Sequence, residues 1–266
     1  MISEEVRRFA EDPSAFGSIE PESGYERVLT PHYCLLFGPV TTFTSVSRLR
    51  LDPEDVPEVL AEVRAAIAER GHREAMWWIG SSATPSDLID LLEARGLVPD
   101  EREGSEPHAT TMVLAEAPPQ RSTGVVARRV ADLEEYRLAN RITDAAFGSD
   151  SAPTWDPVAE ERFAAERAGH APRTYLAWLD DEPVGVARAL FASDCPAVLM
   201  IGGGVVPQAR GRGVYRALVE ARWEDAVAAG KPALCTQAGR MSRPVLEPLG
   251  FLAVAEQEVL LDPTTC

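Results

Sequence analysis

The sequence lacks the features of exported, membrane-spanning and disulfide-bonded proteins. Residues 1–5 (MISEE) have neither the positive charge nor the apolar run with which a signal peptide begins. No apolar stretch approaches the ~18 residues of a membrane-spanning helix. The four cysteines, Cys34, Cys195, Cys235 and Cys266, form no CxxC pair, so neither a disulfide framework nor a zinc site is indicated. We therefore expect a soluble, cytoplasmic protein with reduced thiols, no membrane association and no metal.

The chain also lacks an excess of basic residues. Its 42 Asp and Glu outnumber its 26 Lys and Arg, which gives a formal net charge of −16. A field of this sign repels the phosphate backbone, so general nucleic-acid binding is excluded as a function. Any anionic ligand must find a local basic pocket. Nothing in the composition indicates an oligomer, although one stays possible.

Glycine and proline are too few for a low-complexity chain: 19 Gly and 21 Pro lie among 266 residues, and 45% of the residues are hydrophobic. At about 150 residues per domain, this length favours two modest domains. The plainest break is EAPPQRSTG at residues 116–124, where two prolines precede small polar residues. We predict domains at 1–117 and 125–266, joined by a linker at 118–124.

The first half carries mixed strand and helix patterns. The residues Asp52-Pro53-Glu54-Asp55 are typical of a helix start, and an apolar stripe at helical spacing follows them: Val56, Val59, Leu60, Val63 and Ile67. Around this helix we predict strands at Tyr33–Phe37, Thr42–Leu51, Ala75–Ile79 and Thr111–Leu114, and a second helix carrying Leu88, Leu91 and Leu92.

The second half repeats this organisation. We predict a strand at Val125–Arg129, a helix capped by Asp132, a hairpin of Thr174–Leu179 and Val184–Phe191, an apolar strand at Ala197–Val206, and strands at Ala233–Gln237 and Leu252–Leu261. A helix from about Gly213 to Ala229 should bury Leu218, Val219, Trp223, Ala226 and Val227. Long helix, glycine, strand, short helix and glycine follow one another in both halves, so we expect a duplicated domain.

A basic glycine turn, Gln208–Val214, joins the apolar strand to the long helix of the second half. Glycines let the backbone approach a ligand, and the N–H groups at a helix N-terminus favour phosphate. Arg210, Arg212 and Arg216 add full charges. The alternative is an ordinary strand-to-helix junction with solvated arginines. A Walker loop or a Rossmann fingerprint fits worse, because Lys231 lies at the far end of the helix and Arg216 replaces the third glycine.

The pattern Gln208-x-x-Gly211-x-Gly213, with Val205-Val206-Pro207 before it and Leu249-Gly250-Phe251 near the end, resembles the GNAT-type N-acetyltransferase superfamily over Val125–Leu261. The resemblance implies an α/β (α+β) fold of two tandem GNAT-like domains, each a mixed, mostly antiparallel sheet with flanking helices. The first copy looks degenerate, because the acids of residues 52–55 replace the glycines and arginines.

The same resemblance implies acetyl-CoA as the acyl donor, with its pyrophosphate on the amides of residues 208–214 and its pantetheine arm paired to the backbone near Val205. The implied cofactor-binding residues are Val205, Val206, Gln208, Ala209, Arg210, Gly211, Arg212, Gly213, Val214 and Tyr215. The implied activity is transfer of an acyl group, most simply acetyl, from CoA to the amine of a small molecule by direct attack.

The sequence departs from the superfamily at the catalytic positions. Leu246 stands where many members have a tyrosine, and the strand at 197–204 offers no carboxylate. Ser242, one helical turn before Leu246, is our candidate proton donor to the leaving thiolate, and its alternative role is a local cap. Asp144, Asp150, Trp155 and Asp156 either line an acceptor site or belong to a capped helix and turn. A non-catalytic acyl-CoA- or partner-binding module, and a structural protein without a ligand, are the alternative functions.

Overall fold

A computed structural model describes residues 1–19, 23–102, 105–119, 124–148 and 158–263 of the chain. The α-helices of these residues are α1 (Glu4–Glu11), α2 (Val56–Glu69), α3 (Leu88–Glu93), α4 (Leu133–Phe147), α5 (Ala159–Ala168), α6 (Val214–Ala228) and α7 (Arg243–Leu246). The strands are β1 (Glu26–Leu29), β2 (Cys34–Phe37), β3 (Thr44–Ser47), β4 (Ala75–Gly80), β5 (Val98–Pro99), β6 (His108–Leu114), β7 (Val125–Arg129), β8 (Arg173–Leu179), β9 (Glu182–Leu190), β10 (Val198–Val205), β11 (Leu234–Ala238) and β12 (Leu252–Asp262). Among the described helices, none combines the length and the apolar character that crossing a membrane requires.

The chain forms two compact units. The N unit consists of Arg7–Met112, Gln237–Pro244 and Ala253–Cys266, and the C unit consists of Met1–Val6, Val113–Thr236 and Val245–Leu252. Each unit therefore draws on more than one stretch of the sequence. The predicted domains, 1–117 and 125–266, describe two copies along the sequence, and they stay a prediction.

The N unit is a mixed sheet in the order β1-β2-β3-β4-β12-β6, with β5 also paired to β12. The β1–β2, β2–β3, β4–β12 and β5–β12 pairs are antiparallel, whereas β3 and β4 are parallel and joined by α2. The predicted stripe of α2 is confirmed, since all five of its residues are buried against the sheet. The predicted helix start at Asp52–Pro53 is wrong by one turn: the Asp55 N–H donates to the Asp52 carbonyl in a separate turn, and α2 begins at Val56.

The C-terminal strand β12 is the fifth strand of the N unit's sheet. It pairs antiparallel with β4, from Gln257 opposite Gly80 to Asp262 opposite Ala75. The fully buried carboxylate of Asp262 accepts hydrogen bonds from Arg64 Nε (2.8 Å) and Nη2 (3.0 Å) of α2. This two-bonded pair fixes the end of β12 against the helix of the first half.

The C unit has the order β11-β10-β9-β8-β7, in which only β10 and β11 are parallel and α6 joins them. The predicted cap of α4 is confirmed: Asp132 Oδ1 accepts from the Glu135 N–H at 2.9 Å. The predicted β8–β9 hairpin is also confirmed, with Asp180 (φ 53°) and Asp181 (φ 64°) at its turn. Each unit thus contains one parallel pair joined by a long helix within a mostly antiparallel sheet, and the expected fold class is confirmed.

Helix α6 buries Leu218, Val219 and Ala226 as predicted, but Val227 is exposed and Arg222 is buried. Its buried residues include Leu218, Val219, Arg222 and Ala226, whereas Val227 is 49% exposed. Residues 218, 222 and 226 follow one another at helical spacing, and Val227 is turned about 100° from Ala226 and about 180° from Leu218. The expectation that Val227 is buried is wrong, and a charged residue lies on the buried face.

The end of α1 enters the N unit where β3 and β4 stop pairing. Their parallel register covers only Ser45 with Met76 and Val46 with Trp77. Just beyond it, Asp12 Oδ1 accepts the Arg48 N–H (2.9 Å), and Glu11 Oε1 accepts the Ser82 N–H (2.7 Å). Carboxylates of the N-terminal segment therefore accept hydrogen bonds from two backbone N–H groups at this edge, those of Arg48 and Ser82.

We predict that Asp12 makes the free energy of unfolding fall between pH 4 and pH 6. Burial raises the pKa of its carboxyl to about 6, although Arg50 opposes the shift. The pKa of an unfolded aspartate is about 3.9, so the folded state binds this proton more tightly. The stability that the bound proton contributes is complete below about pH 3.9 and is lost as the pH rises to about 6. The loss at neutral pH is about 3 kcal/mol.

Asp12→Asn removes this titration while keeping an oxygen acceptor for the Arg48 N–H. Urea unfolding at a series of pH values measures the free energy of unfolding of both proteins. From pH 4 to pH 7, the value for the variant should therefore rise relative to the value for the parent. Glu54→Gln, at an exposed position, is the control and should show no such shift. A difference that does not change with pH would contradict the prediction.

Candidate functional site

The predicted anion-binding turn lies at the N-terminus of α6. The chain leaves β10 through Val206, makes a 3₁₀ turn at Pro207–Ala209 and reaches the helix through two glycines with left-handed backbone, Gly211 (φ 77°) and Gly213 (φ 85°). The first amides of a helix have no acceptor within the helix, so those of α6 from Val214 onward face the turn. Together with the positive end of the helix dipole, they form a site for an anion.

The three arginines of this region contact protein acceptors in different ways. Arg210 donates to the carbonyls of Val205 (3.2 Å) and Ala146 (3.1 Å), and Arg216 donates to the carbonyl of Pro119 (2.8 Å). Arg212 forms an exposed ion pair with Asp180 at 3.3 Å. Carbonyls do not neutralise a guanidinium, and no carboxylate of the described residues pairs with Arg210 or Arg216. Both keep their charge for a ligand.

The turn packs closely on β9 and forms one wall of a cleft. A Cβ on Gly185 would lie 2.5 Å from Val214 Cγ1, so only glycine lets the start of α6 sit this near the strand. The cleft has a volume of about 250 Å³. Its other wall is the β8–β9 turn, which sequence reasoning did not include in the site. The lining residues are Leu179, Asp180, Glu182, Pro183, Val184, Val206, Gln208, Ala209 and Arg212.

Strand β10 is irregular on both sides before it reaches the turn. Toward β9, Ile201 lies opposite Arg188 and Gly204 opposite Val186, so β10 contains one extra residue, a β-bulge. Toward β11, the parallel register consists of Val198 with Leu234 and Leu199 with Cys235. The Met200 carbonyl accepts the Thr236 hydroxyl (3.2 Å). From Ile201 onward, β10 has no strand partner on this side among the described residues, so it offers a backbone edge with which an extended ligand can pair.

Tyr215 lies beneath the bulge. A Cβ on Gly203 would be 3.0 Å from Tyr215 Cε2 and 3.4 Å from its hydroxyl oxygen. The guanidinium carbon of Arg222 lies 5.9 Å from the centre of the Tyr215 ring. The sequence placed Tyr215 among the implied CoA-binding residues without a role for its side chain, and its phenol lies against Gly203 of β10.

Two arginines that the sequence reasoning missed lie in the C unit. Arg222 is fully buried and donates to the carbonyls of Leu218 (2.9 Å) and Arg188 (3.5 Å), and burial lowers its pKa. Arg188, on β9, is half-buried and contacts α4. Arg188 is the single charged residue in the apolar run Val184–Phe191, and this position could have identified it as a candidate site residue. Nothing in the helical pattern of α6 distinguished Arg222 from a solvated arginine.

The remaining candidates show local roles or lie outside the described residues. Ser242 Oγ donates to the Gly239 carbonyl at 3.3 Å, a local bond within the turn before α7. Leu246 is fully buried, and burial raises the pKa of the Cys235 thiol. Asp144 is half-buried on α4, while Asp150, Trp155 and Asp156 lie outside the described residues. Within the described ranges, no three His, Cys, Asp or Glu side chains form a group that could hold a metal ion.

Comparison with known proteins identifies the family of the second half and the fold of the whole chain. Residues 130–251 match the model of the acetyltransferase (GNAT) family. No curated protein sequence matches the chain. A GCN5-related N-acetyltransferase from Kribbella flavida superimposes with a TM-score of 0.69 at 18% identity, over 99% of this chain and 97% of that chain.

Two further solved structures are similar over most of their length. A GCN5-related N-acetyltransferase from Sphaerobacter thermophilus gives a TM-score of 0.63 at 16% identity, over 88% of this chain and 81% of that chain. A tandem GNAT protein from the clavulanic acid biosynthesis pathway gives 0.56 at 16% identity, over 86% and 78%. At these identities the similarity concerns the fold. The chain thus has the fold of tandem GCN5-related N-acetyltransferases, and its residues 130–251 form a domain of the acetyltransferase (GNAT) family.

Proposed function

We propose that this protein is an acyl-CoA-dependent N-acyltransferase that moves an acetyl group from acetyl-CoA to the amine of a small molecule. One arrangement carries the proposal: β10 parts from β11 and bulges directly before a glycine turn at a helix N-terminus. A strand edge and an anion site are thereby contiguous in the chain. Membership of residues 130–251 in the acetyltransferase family supports the same reaction class.

The residues of the turn suit the pyrophosphate of CoA. The amides of Val214, Tyr215 and Arg216 precede the first hydrogen bond within α6, which the Ala217 N–H makes, and Gly211 has nothing within 4 Å of where a Cβ would lie. Arg210 and Arg216 supply positive charge in a protein of net charge −16. The pantetheine arm would then extend from the turn along the free edge of β10, from Val205 toward the bulge, and bring the thioester to its glycines.

The reaction itself is aminolysis of a thioester. The neutral amine attacks the carbonyl carbon, the new C–N bond forms, the C–S bond breaks, and the proton of the amine is released while the thiolate gains one. Such a reaction depends mainly on proximity and on polarisation of the carbonyl, so it requires no strong base. We propose that the Tyr215 hydroxyl, beneath Gly203, donates the proton that the thiolate gains.

The N unit offers no equivalent donor site. The segment before α2 contains the acids of residues 52–55, and the edge between β3 and β4 is taken by Glu11 and Asp12. Arg50, which follows β3, contacts Asp12 Oδ2 at 3.4 Å rather than remaining available to a ligand. We therefore propose that the first copy has lost acyl-CoA binding and that the second copy carries the activity.

The alternative function is a non-catalytic module that binds acyl-CoA or a partner. Leu246 at the family's tyrosine position and the engaged hydroxyl of Ser242 favour it. Thiol release from acetyl-CoA, measured over a panel of amines, separates the two functions, because a binding module releases no thiol. Calorimetric titration with CoA separates both from a structural protein without a ligand.

Gly211→Glu should abolish CoA binding without unfolding the protein. The side chain has open space around it but places a negative charge at the proposed phosphate site. Gly230→Glu is the matched control, because Gly230 also has positive φ (72°) and nothing within 4 Å, and lies at the opposite end of α6. Calorimetry should show wild-type affinity for the control. Equal effects of the two substitutions would contradict the site.

The protein should bind one CoA per chain, since within the described parts of the chain only the C unit combines a glycine turn with a free strand edge. The stoichiometry from calorimetric titration of the parent tests this expectation directly. Residual binding of one CoA by Gly211→Glu would reveal a second site and refute the loss of function in the first copy.

Tyr215→Phe should lower kcat by 10- to 100-fold at nearly unchanged CoA affinity, because the lost hydrogen bond forms mainly in the transition state. Ser242→Ala removes the sequence-based candidate, whose hydroxyl donates to Gly239, and should leave kcat per folded molecule unchanged. The two variants share the loss of one hydroxyl. A reduced kcat in Ser242→Ala with a normal Tyr215→Phe would reverse the assignment.

A further inference from the structure

Arg188 is held at the β-bulge by neutral partners alone. Its Nη2 donates to Asn140 Oδ1 (2.9 Å) and its Nη1 to Thr143 Oγ1 (3.3 Å), both on α4. The flanking residues of β9, Ala187 and Ala189, are fully buried. The guanidinium is therefore fixed in place by packing and by two hydrogen bonds, neither of which compensates its charge.

The guanidinium also reaches the surface of the bulge. A Cβ on Gly202 would lie 3.5 Å from Arg188 Nη1, and Gly202 and its neighbour Ile201 are exposed. Ile201 lies directly opposite Arg188 in the β9–β10 register. The charge thus lies beside the part of β10 to which the proposed function brings the thioester.

No carboxylate of the described residues lies within 4 Å of Arg188. The nearest acids act on it only from a distance; of these, Glu166 accepts the Thr174 N–H (2.9 Å) and approaches Arg129 at 4.0 Å. Burial accordingly lowers the pKa of Arg188. Largely buried charges are normally paired, and a planar guanidinium with free N–H groups matches the two oxygens of a carboxylate or phosphate.

We propose that Arg188 binds an anionic group of the acceptor, so that the substrate is an amine that also carries a carboxylate or a phosphate. This specificity rests on the proposed acyl transfer. The guanidinium would orient the acceptor on the α4 side of the bulge, with the amine directed at the thioester. Arg188 is a specificity residue and takes no part in bond making.

Matched acceptors test the proposal. Kinetics of thiol release from acetyl-CoA are compared within pairs that differ in one anionic group: amino acids with their carboxamides, and ethanolamine phosphate with ethanolamine. The parent should prefer the anionic member of one pair by at least 10-fold in kcat/KM. The pair that shows the preference identifies carboxylate or phosphate as the recognised group. Equal rates within every pair would refute the proposal and leave acyl transfer intact.

Substitutions then assign the preference to Arg188. Arg188→Gln should lower kcat/KM for the anionic member by roughly 10- to 100-fold, the usual effect of a charge-assisted hydrogen bond, and for the neutral member by less than 3-fold. Arg188→Lys, which keeps the charge but loses the planar fork, should retain part of the preference. Arg128→Gln is the control. It removes an exposed arginine of β7, in the same sheet as Arg188, that pairs with Glu135 of α4, and it should change kcat/KM for neither member of the pair. A purely structural Arg188 would lower both members equally.

Binding without turnover gives a second measurement. The N-acetylated form of the preferred acceptor is titrated calorimetrically into the CoA-saturated protein, where it should bind to the parent and to Arg128→Gln but at least 10-fold more weakly to Arg188→Gln. Unchanged affinity in Arg188→Gln would overturn the proposal. If CoA binds and no amine releases thiol, the transfer reaction is wrong; titration of the amino acids and of ethanolamine phosphate themselves then decides whether Arg188 binds anions.

Discussion

The proposed site depends on the early separation of two parallel strands, β10 and β11. After two residue pairs β10 continues with a bulge on one side and, among the described residues, no strand partner on the other. It then enters the glycine turn. A continuous ladder would satisfy the backbone groups of β10 and leave only the helix N-terminus for a ligand. The separation therefore makes a strand edge and an anion site adjacent, which is what a donor with a phosphate end and an amide-rich arm requires.

The same supersecondary unit has a different outcome in the N unit. Strands β3 and β4 also pair over only two positions, but the donors beyond them are bonded to Glu11 and Asp12. Burial of Asp12 carries an energetic cost at neutral pH, as its raised pKa shows. An internal carboxylate thus occupies the edge that a ligand would use, and duplication of the fold does not imply duplication of the site.

Two arginines of the C unit, Arg188 and Arg222, have no carboxylate partner among the described residues. Arg188 and Arg222 are linked through the Arg188 carbonyl, and neither pairs with a carboxylate of the described residues. Unpaired buried cations destabilise a fold unless they bind a ligand or fulfil a packing role. Tyr215 and Gly203 of the bulge lie near this pair, so the proposed acceptor site carries local positive charge despite the net charge of −16.

Local sequence determined the helices, the hairpin and the glycine turn of this protein, because amphipathic spacing, capping side chains and positive φ angles are properties of neighbouring residues. The stripe of α2, the Asp132 cap and the turn at Gly211 were predictable for that reason. Tertiary structure alone decided that β12 joins β4, that Asp12 bonds to the edge of β3, that Arg222 is buried and that Arg188 is half-buried against α4. These outcomes depend on residues far apart in the chain. Such residues decide which strand a segment pairs with and whether an arginine side chain contacts water or a helix.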